Sequence, residues 1–143
     1  MKKIFGIDFG KSHIGIAEAD LETKIALPYA RVDAGKNLTE SVENVFRSLT
    51  PQLPYIEKIV LGRPLLMSGK ASTMALLVEE FAKLLEEKMK IPIELWDERL
   101  TSSQADKTLK ESGMTRKKRA KHSDYFAAMI ILQSFLDAKY SSI

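Results

Sequence analysis

The chain has no cysteine, which excludes disulfide frameworks, zinc-thiolate centres and thiol nucleophiles. That absence fits a reducing compartment, and a cytoplasmic location is the expectation. The two histidines, His13 and His122, give no metal-ligand spacing. No apolar run approaches the roughly 20 residues of a membrane-spanning helix. Met1-Lys2-Lys3-Ile4 has the basic start of an export signal, but Asp8 breaks the apolar stretch behind it. Neither export nor a membrane partner is therefore expected. Internal repeats, low-complexity stretches and linkers are also missing. The 143 residues read as one domain, 1–143, large enough to bury about two-thirds of its unfolded surface.

Positive charge is in slight excess, with 22 Lys and Arg against 19 Asp and Glu. An excess of that size counts only where it is clustered. It is clustered at Arg116-Lys117-Lys118-Arg119 and Lys121-His122, with no acid between Glu111 and Asp124. Such a run is usually a solvated loop. No aromatic residue interleaves it, so it points to contact with phosphates rather than stacking on bases.

The elements follow from periodicity and punctuation. Residues 2–9 and 12–19 read as two strands joined by a glycine turn at Gly10, an antiparallel hairpin. A third strand spans Lys24 to Val32, and Pro28 assigns it to a sheet edge. Asn37 or Thr39 starts a helix with Leu38, Val42, Val45, Phe46 and Leu49 on one face, and Pro51 and Pro54 stop it. Glu57 to Gly62 is a strand. Ser72 or Thr73 caps a helix to about Lys90 with Leu76, Leu77, Phe81, Leu84 and Leu85 inward. Ile91 to Trp96 is the next strand, and Thr101 or Ser102 caps a helix that stops near Gly113. The last helix, Ser123 to Lys139, is apolar on all sides through Tyr125–Leu132, the mark of deep burial. Strand–helix–strand units imply parallel pairing by right-handed crossovers. The expected fold is α/β: an antiparallel three-strand meander joined to parallel strands, flanked by helices.

Ligands in such sheets bind beyond the carboxyl ends of the parallel strands. The first strand ends at Asp8, a carboxylate at the end of the apolar run Ile4-Phe5-Gly6-Ile7. The last ends at Asp97-Glu98. Asp124 stands in the first turn of the apolar helix. Singly, each has an ordinary reading: a turn cap, a solvated strand end, a helix-dipole partner. As a set they make an oxygen-rich cluster suited to Mg2+ or Mn2+. Such ions can activate a water and stabilise the leaving oxygen of a phosphodiester.

Gly6-Ile7-Asp8-Phe9-Gly10 with Ile14-Gly15-Ile16-Ala17 resembles the opening of the YqgF/RuvX family. Val60-Leu61-Gly62-Arg63-Pro64-Leu65, with Met67 and Gly69, is similar to its middle motif. Asp97-Glu98-Arg99-Leu100-Thr101-Ser102 matches its most specific motif, and Asp124 with Ala127-Ala128 and Ile131-Leu132-Gln133 its closing helix. The resemblance implies a ribonuclease H-like fold and a metal-dependent nuclease site of Asp8, Glu98 and Asp124. It also implies maturation of the 5′ end of pre-16S ribosomal RNA, in ribosome biogenesis, or by an older label resolution of Holliday junctions. Lys11, His13, Arg63 and Arg99 join Arg116, Lys117, Lys118, Arg119 and Lys121 as candidate nucleic-acid contacts. His13 stands where the family usually has arginine, and Arg63 where it has leucine. Leu66 and Ser68 replace the usual asparagine and aspartate. Many ribonuclease H-like nucleases carry their second acid after the fourth strand; here that place holds Arg63, and the acid comes a strand later.

The expected partner is structured RNA, with branched DNA as the alternative, and pre-ribosomal particles are a candidate context. A resolvase should dimerise, but no dimer seam is evident, so a monomer or weak dimer is expected. A non-catalytic RNA- or ribosome-associated factor is the reading from a different class. A sugar-kinase-like phosphate loop at Asp8-Phe9-Gly10 is set aside, because such proteins need two such domains around a nucleotide.

Overall fold

The computed structural model describes residues 1–66, 68–100, 103–113, 118 and 123–140, the side chains at 103, 123 and 124 excepted. β1 (Lys3–Asp8) and β2 (His13–Asp20) pair antiparallel from Lys3↔Asp20 to Asp8↔Gly15. β3 (Leu27–Asp33) continues antiparallel on the far side of β2. Pro28 is tolerated because β3 is the sheet edge, and the ladder shifts register beside it, between Ile16 and Ala17. β4 (Ile56–Arg63) runs parallel to β1, and β5 (Ile93–Asp97) parallel to β4. The strand order is β3-β2-β1-β4-β5, the mixed sheet expected.

Two helices make the crossovers. α1 (Leu38–Leu49) starts where the Asn37 side chain accepts the Glu40 N–H at 2.9 Å. Pro51 and Pro54 do not end helical winding at once. The chain continues through a 3-10 turn, Thr50–Tyr55, with Pro51 in the first turn, where no N–H is required. α2 (Thr73–Met89) is capped by Ser72 Oγ, which accepts from Ala75 N at 3.0 Å. Its buried face is Ala75, Val78, Phe81, Ala82, Leu85 and Met89. Leu76, expected inward, is 60% exposed. The α2 face is centred on Val78 and Phe81, and two residues of helix rotate Leu76 well off it.

These two helices cover one side of the sheet, over Phe5, Ile7, Phe9, Ile14, Ile16, Ile59 and Leu61. α3 (Ser103–Glu111) and α4 (Ser123–Lys139) lie on the other, where Leu109, Ala128, Met129, Ile131, Leu132 and Phe135 meet Ile4, Ala17, Val60 and Trp96. Gly6 lets α4 approach the sheet closely. A Cβ there would fall 2.6 Å from Leu132 Cβ and 3.0 Å from the Ala128 carbonyl oxygen. Two polar residues of α4, Gln133 and Ser134, are buried, and both are hydrogen-bonded, as burial requires. Gln133 accepts from Ala26 N at 2.8 Å and donates to Lys24 O at 3.1 Å, fixing the β2–β3 connection to the helix. Among the described residues no helix is long and apolar enough to cross a membrane.

Candidate active site

Side chains two apart on a strand share a face. Gly6 faces α4, so Asp8, at the carboxyl end of β1, faces the same side. In the parallel ladder Ile7 is opposite Leu61, which puts Asp8 beside Gly62 of β4, about 5 Å away between strand axes. On the other side of β4, Gly62 is opposite Trp96. β5 ends at Asp97, and the chain enters the short 3-10 turn Glu98–Leu100.

Glu98 uses that turn to reach back across the sheet. Its Cγ and Cδ lie 3.2 Å from the point where a Cβ on Gly62 would stand, and Ile131 Cδ1 of α4 lies 2.5 Å from it. Ile131 thus covers the place of a Gly62 side chain, and the Glu98 carboxyl stands beside it over β4, close enough to feel the charge of Asp8. This explains the missing acid after the fourth strand. Arg63 turns to the α2 side and pairs with Glu79 at 2.8 Å, and the vacant α4 side of β4 receives its carboxylate from β5.

The electrostatics match this geometry. Burial pushes the Asp8 carboxyl above the ordinary aspartate range. Burial also raises Glu98, and the negative charges of Asp8 and then Asp97 raise it further. Asp97 behaves oppositely: the hydrogen bonds from the Arg99 side chain hold it below the usual carboxylate range. Arg99 binds it through Nε at 3.0 and 3.1 Å and through Nη2 at 2.6 Å. The arrangement separates two neighbouring acids by role. Asp97 is neutralised by arginine, while Glu98 is desolvated beside a second carboxylate.

The turn that carries Glu98 is tied to α4. Ser134 Oγ donates to the Leu100 carbonyl at 2.9 Å and accepts from Trp96 Nε1 at 3.2 Å. Gly62 enters the sequence reading only as part of the motif Val60–Leu65, and Ser134 not at all. A buried serine in an apolar helix is a visible cue, but its partners lie 34 and 38 residues away.

The other candidates are spread. Lys11 is exposed on the β1–β2 turn. His13, at the start of β2, faces Asp33 across the ladder at 3.8 Å. Arg63 is engaged with Glu79, and the Arg99 guanidinium lies beside Gly69. Lys118 is exposed. Arg116, Lys117, Arg119 and Lys121 lie outside the described residues, as does the side chain of Asp124, whose backbone belongs to the first turn of α4. Among the described residues no group of three potential metal ligands occurs; Asp8 and Glu98 form a pair.

Residues 2–138 match the RuvX family model, described as Holliday junction resolvase. A protein of Protochlamydia amoebophila named "Putative pre-16S rRNA nuclease" is 46% identical over 141 residues, covering 96% of this chain and 94% of its own. One of the same name from Chlamydia trachomatis serovar L2 is 39% identical over 136 residues, covering 94% and 90%. Among solved structures, T. thermophilus RuvC in complex with a Holliday junction substrate is similar at a TM-score of 0.62 and 13% identity, over 99% of this chain and 98% of that one. An inorganic polyphosphate/ATP-glucomannokinase from Arthrobacter is similar at 0.52 and 17% identity, over 76% of this chain and 49% of that one. At such identities these structures show a shared fold, and the fold is ribonuclease H-like. Matched along almost its whole length by the family model and by nuclease-named relatives, the chain belongs to the RuvX (YqgF) family of nucleases.

Proposed function

We propose that the chain is a metal-dependent endonuclease that hydrolyses a phosphodiester bond in structured RNA, with the 5′ end of pre-16S ribosomal RNA as its substrate. The observation that carries this reading is the pair of desolvated carboxylates, Asp8 and Glu98, brought together over the bare backbone of Gly62. Two half-buried like charges repel, and a bound cation would relieve that repulsion. Hard oxygen donors at a strand end fit Mg2+ or Mn2+. Asp8 would hold the ion from β1 and Glu98 from the β5 side, with Asp124 of α4 as a third ligand. A bound divalent ion supplies Lewis-acid charge at the phosphate and acidifies water.

The chain's other groups bind and orient. Asp97 holds the Arg99 guanidinium beside the loop at Gly69, where a phosphate of the substrate would compete with that carboxylate for its N–H groups. The run Arg116, Lys117, Lys118, Arg119 and Lys121 offers cations to the backbone of the substrate. The single domain works in the cytoplasm as a monomer or weak dimer on pre-ribosomal particles. The names of the relatives favour RNA, and the description of the family model favours a four-way DNA junction.

The test compares both substrates in Mg2+ and in Mn2+ with wild type and Asp8→Asn. Cleavage of precursor RNA by the wild type, reduced about 100-fold or more by the substitution, is the expected outcome. Cleavage of the junction alone would transfer the chemistry to DNA. Equal activity of the two proteins would remove the metal site, and tight RNA binding without cleavage by either would make the chain a non-catalytic factor.

A further inference from the structure

The carboxyl end of β1 has two sides. Asp8 faces α4, whereas Phe9, the next residue, faces α1 and α2 and packs on Phe81 with ring centroids 4.7 Å apart. On that second side the β1–β2 turn, the β3–α1 connection and α2 enclose a cavity of about 280 Å³. Phe9, Ala34, Leu38 and Leu77 make its apolar wall, and Lys11 and Lys36 are its charged residues. Both lysines are exposed, and neither pairs with an acid among the described residues. Two acids stand close by. Glu40 lays its side chain over Gly35, and Asp33 faces His13; neither lines the cavity. The α1 N-terminus at the rim is already capped by Asn37, so the site does not depend on the helix end.

We propose that this cavity receives one unpaired nucleobase of the bound strand while Lys11 and Lys36 hold the phosphates on either side of it. The inference rests on the nucleic-acid reading above and extends it from the acids to the other side of the β1 end. The volume lies just below the usual range of ligand pockets and suits a single planar ring. An aromatic and aliphatic wall suits the face of any base, and two cations beside it suit a backbone. Consecutive residues of a strand are about 3.8 Å apart. Asp8 and Phe9 are adjacent, so the acids and the cavity flank the carboxyl end of β1 on its two sides.

The test measures binding of a fluorescein-labelled oligouridine ten-mer in EDTA, so that cleavage plays no part. Lys11→Ala/Lys36→Ala is expected to lose about tenfold in affinity, and the slope of log Kd against log salt should fall by about 1.4, two single-strand phosphates. Leu38→Trp, which fills the cavity, should weaken the ten-mer about fivefold. It should leave the salt slope, and the binding of a blunt RNA duplex, as in the wild type. Wild-type affinity in the lysine variant would overturn the proposal, and the exposed position of both lysines means that this variant folds whatever the tryptophan does. Equal weakening of duplex and single strand by Leu38→Trp would also overturn it, as would uridine monophosphate binding as tightly as the ten-mer. Because no metal is present, failure here leaves the cleavage reading standing. An inactive nuclease, conversely, would leave this binding result intact.

Discussion

Glu98 comes as close to Asp8 as it does because Gly62 has no side chain. With a Cβ, Gly62 would press on Ile131 Cδ1 and on Cγ and Cδ of Glu98. The isoleucine end is flexible and can move, and the Glu98 carboxylate must give by a few tenths of an ångström, away from Gly62. Gly62→Ala is therefore expected to cost only about 1–2 kcal/mol of stability while lowering metal affinity and activity about 10-fold or more. Urea titration together with metal binding separates the two effects. The Asp8 carboxyl gives a second prediction. It titrates higher in the folded chain than in the unfolded one, so between those two values the folded state holds more protons. Stability then falls as pH rises through that window, and the full penalty applies above it. In metal-free protein near pH 8, Asp8→Asn should melt about 3 °C or more above wild type. The gap should close as the pH drops below the ordinary aspartate range. A variant that melts lower at pH 8 would contradict the burial argument.

The elements hold these residues through contacts far apart in sequence. α4 makes two such contacts from adjacent residues: Ser134 holds the turn after β5, and Gln133 holds the connection before β3. Ser134→Ala removes the donor to Leu100 O and the acceptor of the Trp96 indole. A loss of about 1–3 kcal/mol is expected, with faster hydrogen exchange concentrated at Glu98–Leu100. Uniform loss of protection would contradict a local role. The Gln133 contact also explains where sequence reading falls short. The run Lys24-Ile25-Ala26 looks like strand, yet Lys24 adopts φ 58 and Ala26 gives its N–H to Gln133. The ladder begins only at Leu27. Continuous apolar runs were enough to find β1, β2 and β4, because both faces of the sheet are buried. Nothing in the local pattern announces that a glutamine 107 residues away takes the Ala26 N–H.

Across the whole molecule, topology gathers what the sequence scatters. Placing β4 between β1 and β5 puts the carboxyl-terminal ends of two strands far apart in sequence on either side of one glycine. Asp8 and Glu98 were legible as candidates because each carboxylate closes an apolar run at a strand end. Their meeting over Gly62 was not, since it depends on a turn, Glu98–Leu100, that folds a side chain back over the neighbouring strand. Arg63 illustrates the converse. Its position suggests a phosphate contact, and the sequence does not announce that its side chain emerges on the α2 side and pairs with Glu79. The central claim is that Asp8 and Glu98 act as one cation site. Calorimetric titration of the metal-free protein with Mn2+ tests it most directly, using wild type, Asp8→Asn, Glu98→Gln and the double variant. Binding that falls about tenfold or more with either substitution, and little further in the double variant, is the result predicted. Binding in Glu98→Gln indistinguishable from wild type would contradict it.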